Sequence, residues 1–119
     1  QDINPITNKI ADLRGRLESL RGTFDYEGKQ ERLTEVQREL EDPDIWNDQE
    51  RAQALGKERA ALEGVVDTID ALSSGLADGA DLLEMAVDEG DADTVDAVAA
   101  DVDRFEQQVA DLEFRRMFS

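Results

Sequence analysis

Cysteine and histidine are both absent from this chain. Zinc sites built on thiolate or imidazole ligands are therefore excluded, as are catalytic centres that use Cys or His as nucleophile or base. The lack of cysteine is also typical of cytoplasmic proteins, in which disulfides rarely persist. We accordingly expect a cytoplasmic protein whose function does not use thiol or imidazole chemistry.

Long apolar runs, prolines and aromatic residues are scarce as well. The sequence contains no run of about 18 apolar residues, so no membrane-spanning helix is predicted. Pro5 and Pro43 are the only two prolines, and aromatic residues make up 5% of the chain. The core must therefore come from Leu, Val, Ile and Ala on long uninterrupted segments. We expect residues 1–119 to form a single helical domain.

Positive charge is missing from one continuous part of the chain. Between Arg59 and Arg104 there is no Lys or Arg, against 13 Asp or Glu, within a net charge of −17. The first 40 residues, by contrast, hold seven basic side chains. Because an acidic surface repels phosphates, we predict no direct nucleic acid contact for the acidic half. Such contact should use the N-terminal third or pass through a basic protein partner.

The most regular apolar pattern predicts one long helix from about Asp48 to Glu89. Its inward positions recur every seven residues, at Leu55, Leu62, Ile69, Leu76 and Leu83. The same stripe is widened by Val65, Val66, Leu72, Ala80, Ala86 and Val87. Asn47 is the predicted N-cap and Gly90 the predicted stop. The stretch Ser73–Gly79 is the weakest part of this helix, and whether it is broken there stays open.

Three shorter helices are predicted around the long one. The first runs from Pro5 to about Gly22 after an Asn4 cap, the second from Tyr26 to Glu41 after Asp25, and the last from Ala92 to Met117 after Asp91. The first has the seam Ile6, Ile10, Leu13, Leu17 and Leu20, and the last has Val95, Val98, Val102, Phe105, Val109 and Leu112.

These helices predict an all-α fold: an elongated, antiparallel, coiled-coil-like bundle of four helices without strands. The short turn at Glu89–Asp91 should make the last two helices antiparallel neighbours, with Leu83 near Val98 and Leu76 near Phe105. The first two helices should form a second hairpin that packs on residues 52–69. Trp46 should anchor the connector before the long helix, and a binding role for Trp46 is the alternative.

No pattern of catalytic, metal-binding or cofactor-binding residues emerges. The acidic run at 88–93 fails the calcium-loop pattern, because Val95 occupies a ligand position and Gly90 is misplaced. The eight glycines never take the spacing of a phosphate-binding loop. Gly75 and Gly79 have the spacing of a membrane dimerisation motif, but their surroundings are polar. From the residues alone, we expect an interaction module that is not an enzyme, with unknown partner-binding residues.

Several stretches are nonetheless specific enough to suggest a family. They are Ile3-Asn4-Pro5, Leu20-Arg21-Gly22, Phe24-Asp25-Tyr26, Pro43-Asp44-Ile45-Trp46-Asn47, Gln53-Ala54-Leu55-Gly56-Lys57-Glu58-Arg59 and Leu112-Glu113-Phe114-Arg115-Arg116-Met117-Phe118. In this order they resemble the N-terminal domain of bacterial class I peptide chain release factors, and among them the release factor 2 type, which acts at UGA and UAA codons. The resemblance covers essentially the whole chain.

The resemblance implies a role in translation termination. It implies a helical domain that docks on the ribosome near the stalk base of the large subunit, and a functional link to the class II release factor GTPase. It also implies decoding and catalytic domains with Ser-Pro-Phe and Gly-Gly-Gln motifs, which this sequence lacks. The apolar and basic ending at 115–118 suggests that Ser119 adjoins a further element, so the chain is expected to be part of a longer protein.

The sequence therefore leaves two hypotheses for the function of this chain. In the first, the chain is a ribosome-docking domain whose acidic half, including Asp91, Asp93 and Asp96, faces a basic ribosomal protein. In the second, the chain is a stand-alone acidic coiled-coil adaptor or a truncated release-factor-like protein.

Overall fold

The computed structural model describes residues 2–118, and all of its regular structure is helical. The four α-helices are α1 (Asn4–Thr23), α2 (Tyr26–Glu41), α3 (Gln49–Glu89) and α4 (Ala92–Arg116), and a 3₁₀ turn, Pro43–Asn47, connects α2 to α3. The predicted all-α class with four helices is thus confirmed, and residues 2–118 contain no strand. None of the helices is long and apolar enough to cross a membrane within this described part.

Helix ends lie close to the predicted positions, since local caps set them. Asp25 caps α2 in the left-handed region at φ 53°, with its side chain accepting a hydrogen bond from the Gly28 N–H. Two predicted caps are wrong by a residue or two. Asp2, not Asn4, accepts from the first turn of α1, and Asp48, not Asn47, accepts from the Arg51 N–H at 3.1 Å at the start of α3.

The chain forms two compact units, and α3 contributes to both of them. Residues 21–69 form the hairpin unit, made of α2, the connector and the first part of α3. Its core contains Val36, Ile45, Ala52 and Leu55, with Leu40 and Leu62 packed against them. Arg32 binds Glu58 through two hydrogen bonds of 2.7 Å. Because α2 is amphipathic, its inner face can close on α3 while its charged face stays in water.

The connector is anchored by Ile45 and not by Trp46. Ile45 is 8% exposed, whereas the next side chain, Trp46, is 65% exposed. A 3₁₀ turn has about three residues per turn, so adjacent side chains point about 120° apart. When Ile45 enters the core of the hairpin unit, Trp46 is therefore directed away from it. The prediction that Trp46 anchors the connector is wrong.

Residues 2–20 and 70–118 form the three-helix unit, made of α1, the second part of α3 and α4. Its core contains most of the predicted inward-facing residues: Ile10, Leu13, Leu17, Leu20, Leu72, Leu76, Leu83, Ala86, Val95, Val98, Val102, Val109 and Leu112 are buried. Each such side chain contributes about 2 kcal/mol when removed from water. The predicted residues Ile6, Ala80 and Phe105 are only half-buried. Val87, predicted in the same stripe, is instead 44% exposed, although its neighbour Ala86 is buried.

The packing of α1 differs from the prediction. Its residues up to Leu20 belong with residues 70–118 and not with residues 52–69. Lys9 binds Asp103 at 3.1 Å. Arg16 donates hydrogen bonds to the Glu113 carboxylate from both Nε and Nη2. These pairs show that α1 runs parallel to α4. Only α2 packs on the first part of α3, as predicted, because α1 finds both its apolar and its charged partners elsewhere.

α3 is continuous for 41 residues and passes through Ser73–Gly79 without a break. The two glycines of this stretch face α4: a Cβ at Gly75 would lie 2.6 Å from the Phe105 ring, and one at Gly79 would lie 3.9 Å from Val98. These contacts confirm that α3 and α4 are antiparallel. The paired glycines allow the helix backbones to approach closely, a packing role that their sequence spacing did not identify.

Candidate docking surface

The turn between α3 and α4 is closely defined by hydrogen bonds. Gly90 has a φ of 68°, which an L-residue adopts only with strain. The Gly90 N–H donates to the Val87 carbonyl at 3.2 Å, and the Asp91 N–H donates to the Ala86 carbonyl at 2.8 Å. This is the Schellman pattern, which satisfies the last carbonyls of a helix. The predicted stop at Gly90 is confirmed, and the end of the three-helix unit is fixed in shape.

Asp91 holds the start of α4 with its side chain. Its carboxylate accepts from the Thr94 N–H at 3.1 Å and from the Thr94 hydroxyl at 2.6 Å. The hydroxyl bond, with smaller contributions from the N–H groups of Thr94 and Asp93, lowers the pKa of Asp91 below its ordinary value. Asp91 therefore stays ionised as a helix cap. Its carboxylate is already engaged in structure, in contrast to its proposed place in a partner-facing surface.

An apolar groove lies between α1 and α3 beside this turn. Ile3, Thr7 and Ile10 form one wall, and Ala80, Leu83 and Val87 form the other, around a volume of about 280 Å³. A second hollow, of about 320 Å³, shares Ile3 and Val87 and continues over the turn to Val95. The two hollows thus form one shallow apolar strip at the end of the three-helix unit.

Acidic side chains border this strip. Glu84 and Asp88 line the groove itself. Asp81, Glu89, Asp93 and Asp96 are exposed on the neighbouring turns of α3 and α4. Leu82 and Met85, 45% and 57% exposed, lie on the same part of α3. We call this surface, formed by residues 80–96 with Ile3 and Thr7, the acidic tip.

Two ion-pair groups hold α1 against α4. Lys9 contacts Asp103 at 3.1 Å and Glu106 at 3.3 Å. The Arg16 guanidinium, hydrogen-bonded to Glu113, lowers the pKa of the Glu113 carboxyl below its ordinary value, and Glu113 in turn raises the pKa of Arg16. With α1 held in this way, Ile3 and Ile10 line the same groove as Leu83. The groove therefore depends on residues from both ends of the chain.

Most basic residues of the N-terminal third form contacts with other residues of the same chain. Lys9 and Arg16 are paired with α4 as described, Arg21 with Glu27, and Arg32 with Glu58. Lys29 donates to the Phe24 carbonyl. Most of the positive charge that could have met a phosphate backbone is thus neutralised locally, which reduces the case for a nucleic acid contact through this third.

The composition of the acidic tip suits protein binding. The pKa of Asp91 is lowered by its hydrogen bonds to Thr94, so this carboxylate is ionised and serves as a helix cap. Apolar strips with charged rims are typical of protein-binding surfaces, where the centre supplies affinity and the rim supplies orientation. The tip therefore suits a basic partner that carries exposed apolar side chains.

The end of α4 carries a separate apolar cluster. Phe114, Met117 and Phe118 are 62%, 70% and 75% exposed, and the two phenylalanine rings lie 5.0 Å apart. Arg115 and Arg116 are exposed beside them. The predicted junction at Ser119 lies outside the described residues.

Comparison with protein families gives a match that spans most of the chain. The family model for the PCRF domain matches residues 29–119, from the first turn of α2 to the end of the chain. The match includes the hairpin unit's connector, both glycines of the α3–α4 contact and the whole turn of the acidic tip. The chain therefore belongs to the PCRF-domain family of peptide chain release factors, which take part in translation termination.

Proposed function

We propose that this chain is the ribosome-docking domain of a release factor of the release factor 2 type, which acts at UGA and UAA codons. The family match supports the general role in termination. The stretches Pro43–Asn47 and Gln53–Arg59 favour the release factor 2 type, because they carry the most specific part of the resemblance. A cytoplasmic location and a functional link to the class II release factor GTPase belong to the same proposal.

The acidic tip is the surface that we propose for docking. The observation that carries this choice is its apolar strip, which is open to solvent and bordered by carboxylates in a region without Lys or Arg. Such a surface attracts a basic protein and repels bare ribosomal RNA. We therefore propose that the partner is a basic ribosomal protein at the stalk base of the large subunit.

In this proposal the domain docks and does not catalyse. The sequence offers no thiol or imidazole, and the carboxylates that it does offer act as caps, ion pairs and a charged rim. Purified chain should accordingly release no peptide from peptidyl-tRNA. Release activity in the chain alone would contradict both docking and the alternative adaptor function.

Charge reversal tests the docking surface. The double variant Asp88→Lys/Asp93→Lys changes two exposed rim positions and leaves the Asp91 cap intact. A matched control, Glu31→Lys/Asp67→Lys, makes the same change in net charge at exposed positions of the hairpin unit. Binding to purified bacterial ribosomes is measured by sedimentation at two salt concentrations.

We expect the tip variant to bind at least about tenfold more weakly than the control. Each Asp→Lys change at the tip replaces an attraction to the basic partner with a repulsion. Wild-type binding should also weaken with salt, because exposed charges are screened. If both variants bind as wild type does, the acidic tip is not the docking surface. If the two variants lose affinity equally, only the net charge matters, and the proposed surface is again wrong.

A further inference from the structure

Trp46 is an unusual side chain to find on the outside of a protein with few aromatic residues. It is the single tryptophan of the chain and is 65% exposed. Within residues 2–118 its indole takes part in no hydrogen bond or ring contact. Tryptophan is the residue most enriched among those that dominate binding energy at protein interfaces. Its exposure therefore calls for a functional explanation.

The connector holds Trp46 in a fixed position. The Asp42 side chain accepts from the Asp44 N–H at 3.0 Å, and the Asp48 N–H donates to the Ile45 carbonyl at 3.0 Å. Ile45 is buried in the core of the hairpin unit. The turn is thus tied at both ends and in its middle, so the indole is presented by a rigid support. Rigid presentation lowers the entropy lost on binding.

Negative charge surrounds this indole along the chain. Between Arg38 and Arg51 there is no basic residue. The acidic residues of that interval that are exposed are Glu41, Asp42, Asp44, Asp48 and Glu50, which we call the Trp46 collar. The nearest following base, Arg51, is already bound to Glu39 at 2.8 Å. An approaching cation would therefore meet an exposed indole whose neighbours in the chain carry carboxylates, of which those of Asp42 and Asp48 also accept backbone hydrogen bonds.

We propose that Trp46 and its collar form a second docking site, for an arginine-rich segment of a partner protein. A guanidinium can stack on the indole face while the collar balances its charge. The chain already uses this geometry internally: the Arg21 guanidinium lies 4.4 Å from the Tyr26 ring centre and that of Arg104 lies 5.4 Å from the Phe105 ring centre. The collar repels nucleic acid and anionic lipid, so a basic protein segment is the occupant.

This site is independent of the acidic tip. Trp46 lies in the hairpin unit, whereas every residue of the tip belongs to the three-helix unit. The two surfaces can therefore be tested separately, and loss of one docking function leaves the other measurable.

Because the chain has a single tryptophan, its fluorescence reports this site alone. The collar predicts that caesium ions quench Trp46 more strongly than iodide ions do, with neutral acrylamide as the measure of exposure. A short oligoarginine peptide should change the emission in a saturable way, and oligoglutamate should not. Stronger quenching by iodide than by caesium, or an emission unchanged by oligoarginine, would overturn the proposal.

Variants separate this site from general attraction to an acidic protein. In calorimetric titration with oligoarginine, Trp46→Ala should weaken binding about threefold or more, and Trp46→Phe should lie between it and wild type. Asp44→Asn should also weaken binding, because it removes a collar charge but no cap. Phe118→Ala, which removes an exposed aromatic side chain outside both proposed docking surfaces, is the matched control and should bind as wild type does.

Each variant is checked for an unchanged helical circular dichroism spectrum. If Trp46→Ala and Phe118→Ala both bind oligoarginine as tightly as wild type, the peptide binds through net charge alone and the site does not exist. If oligolysine binds as tightly as oligoarginine in every variant, the indole adds nothing and the proposal fails. Binding of a single-stranded oligonucleotide at Trp46 would replace the proposed occupant and refute it.

Discussion

Gly75→Ala is the substitution that most directly tests how closely α3 and α4 approach. In an open helix position, alanine is about 1 kcal/mol more favourable than glycine. At Gly75, however, the added Cβ would lie 2.6 Å from Cζ of Phe105 and 3.0 Å from Cε1. Carbon atoms do not approach this closely, so the ring or the helix must move.

The magnitude follows from these two opposing effects. Overpacking of a well-filled contact costs about 1–3 kcal/mol, and the helix preference returns about 1 kcal/mol. We therefore expect Gly75→Ala to lower the free energy of unfolding by about 1 kcal/mol. Gly79→Ala, one turn later on the same helix, places its Cβ at an ordinary 3.9 Å from Val98. It should raise the free energy of unfolding by about 1 kcal/mol.

Urea denaturation followed by circular dichroism measures both effects, provided that the slopes of the transitions are equal. A third variant identifies the cause: in a Phe105→Ala background the ring is gone, and Gly75→Ala should become stabilising. This is a double-mutant cycle on one contact. If Gly75→Ala stabilises the native chain as much as Gly79→Ala does, the close approach of α3 and α4 is refuted.

Two further predictions concern an ion pair and the connector. Since the folded pKa of Glu113 lies below its ordinary value of 4.5, its contribution to stability is present above that pH and is lost as the pH falls through the folded pKa. Glu113→Gln should thus be less stable than wild type at neutral pH, and the difference, measured by urea denaturation, should shrink below pH 4.5; a constant difference would contradict the paired carboxylate. In the connector, Ile45→Ala should lower the free energy of unfolding by about 2 kcal/mol, and Trp46→Ala should lower it by less than about 0.5 kcal/mol. Thermal or urea unfolding measures both changes. A larger loss for Trp46→Ala than for Ile45→Ala would show that Trp46 anchors the connector after all.

The candidate docking surface was only half visible in the sequence. Its charge could be predicted, because the absence of Lys and Arg between Arg59 and Arg104 is a property of composition. Its shape could not, because the groove is lined both by Ile3, just before α1, and by Val87 of α3. The roles of individual carboxylates were also hidden. Asp91 is part of the same acidic run as Asp93, yet only the Asp91 side chain caps α4.

The hidden roles of Trp46 and Gly75 have a common origin. Gly75 lies on a helix that was predicted and Trp46 in a stretch predicted only as a connector, but the role of each depends on which neighbouring side chain enters the core. Ile45 and Trp46 are adjacent apolar residues, and only one of them can face the hairpin unit's interior. Gly75 appears as a weak point of a helix until Phe105 is placed against it.

The sequence by itself determined the four helices, the Asp25 and Asp91 caps and most of the faces that the helices bury. These features depend on residues within one or two turns of each other: the apolar periodicity, the Asp25 and Asp91 side chains, and the left-handed Gly90. Only the tertiary structure decided which helix lies beside which. The pairs of Lys9 with Asp103 and of Arg16 with Glu113 join residues 94 and 97 positions apart. A similar apolar stripe fits more than one neighbour, so this choice is made by steric fit and charge pairing between distant segments, which no local pattern records.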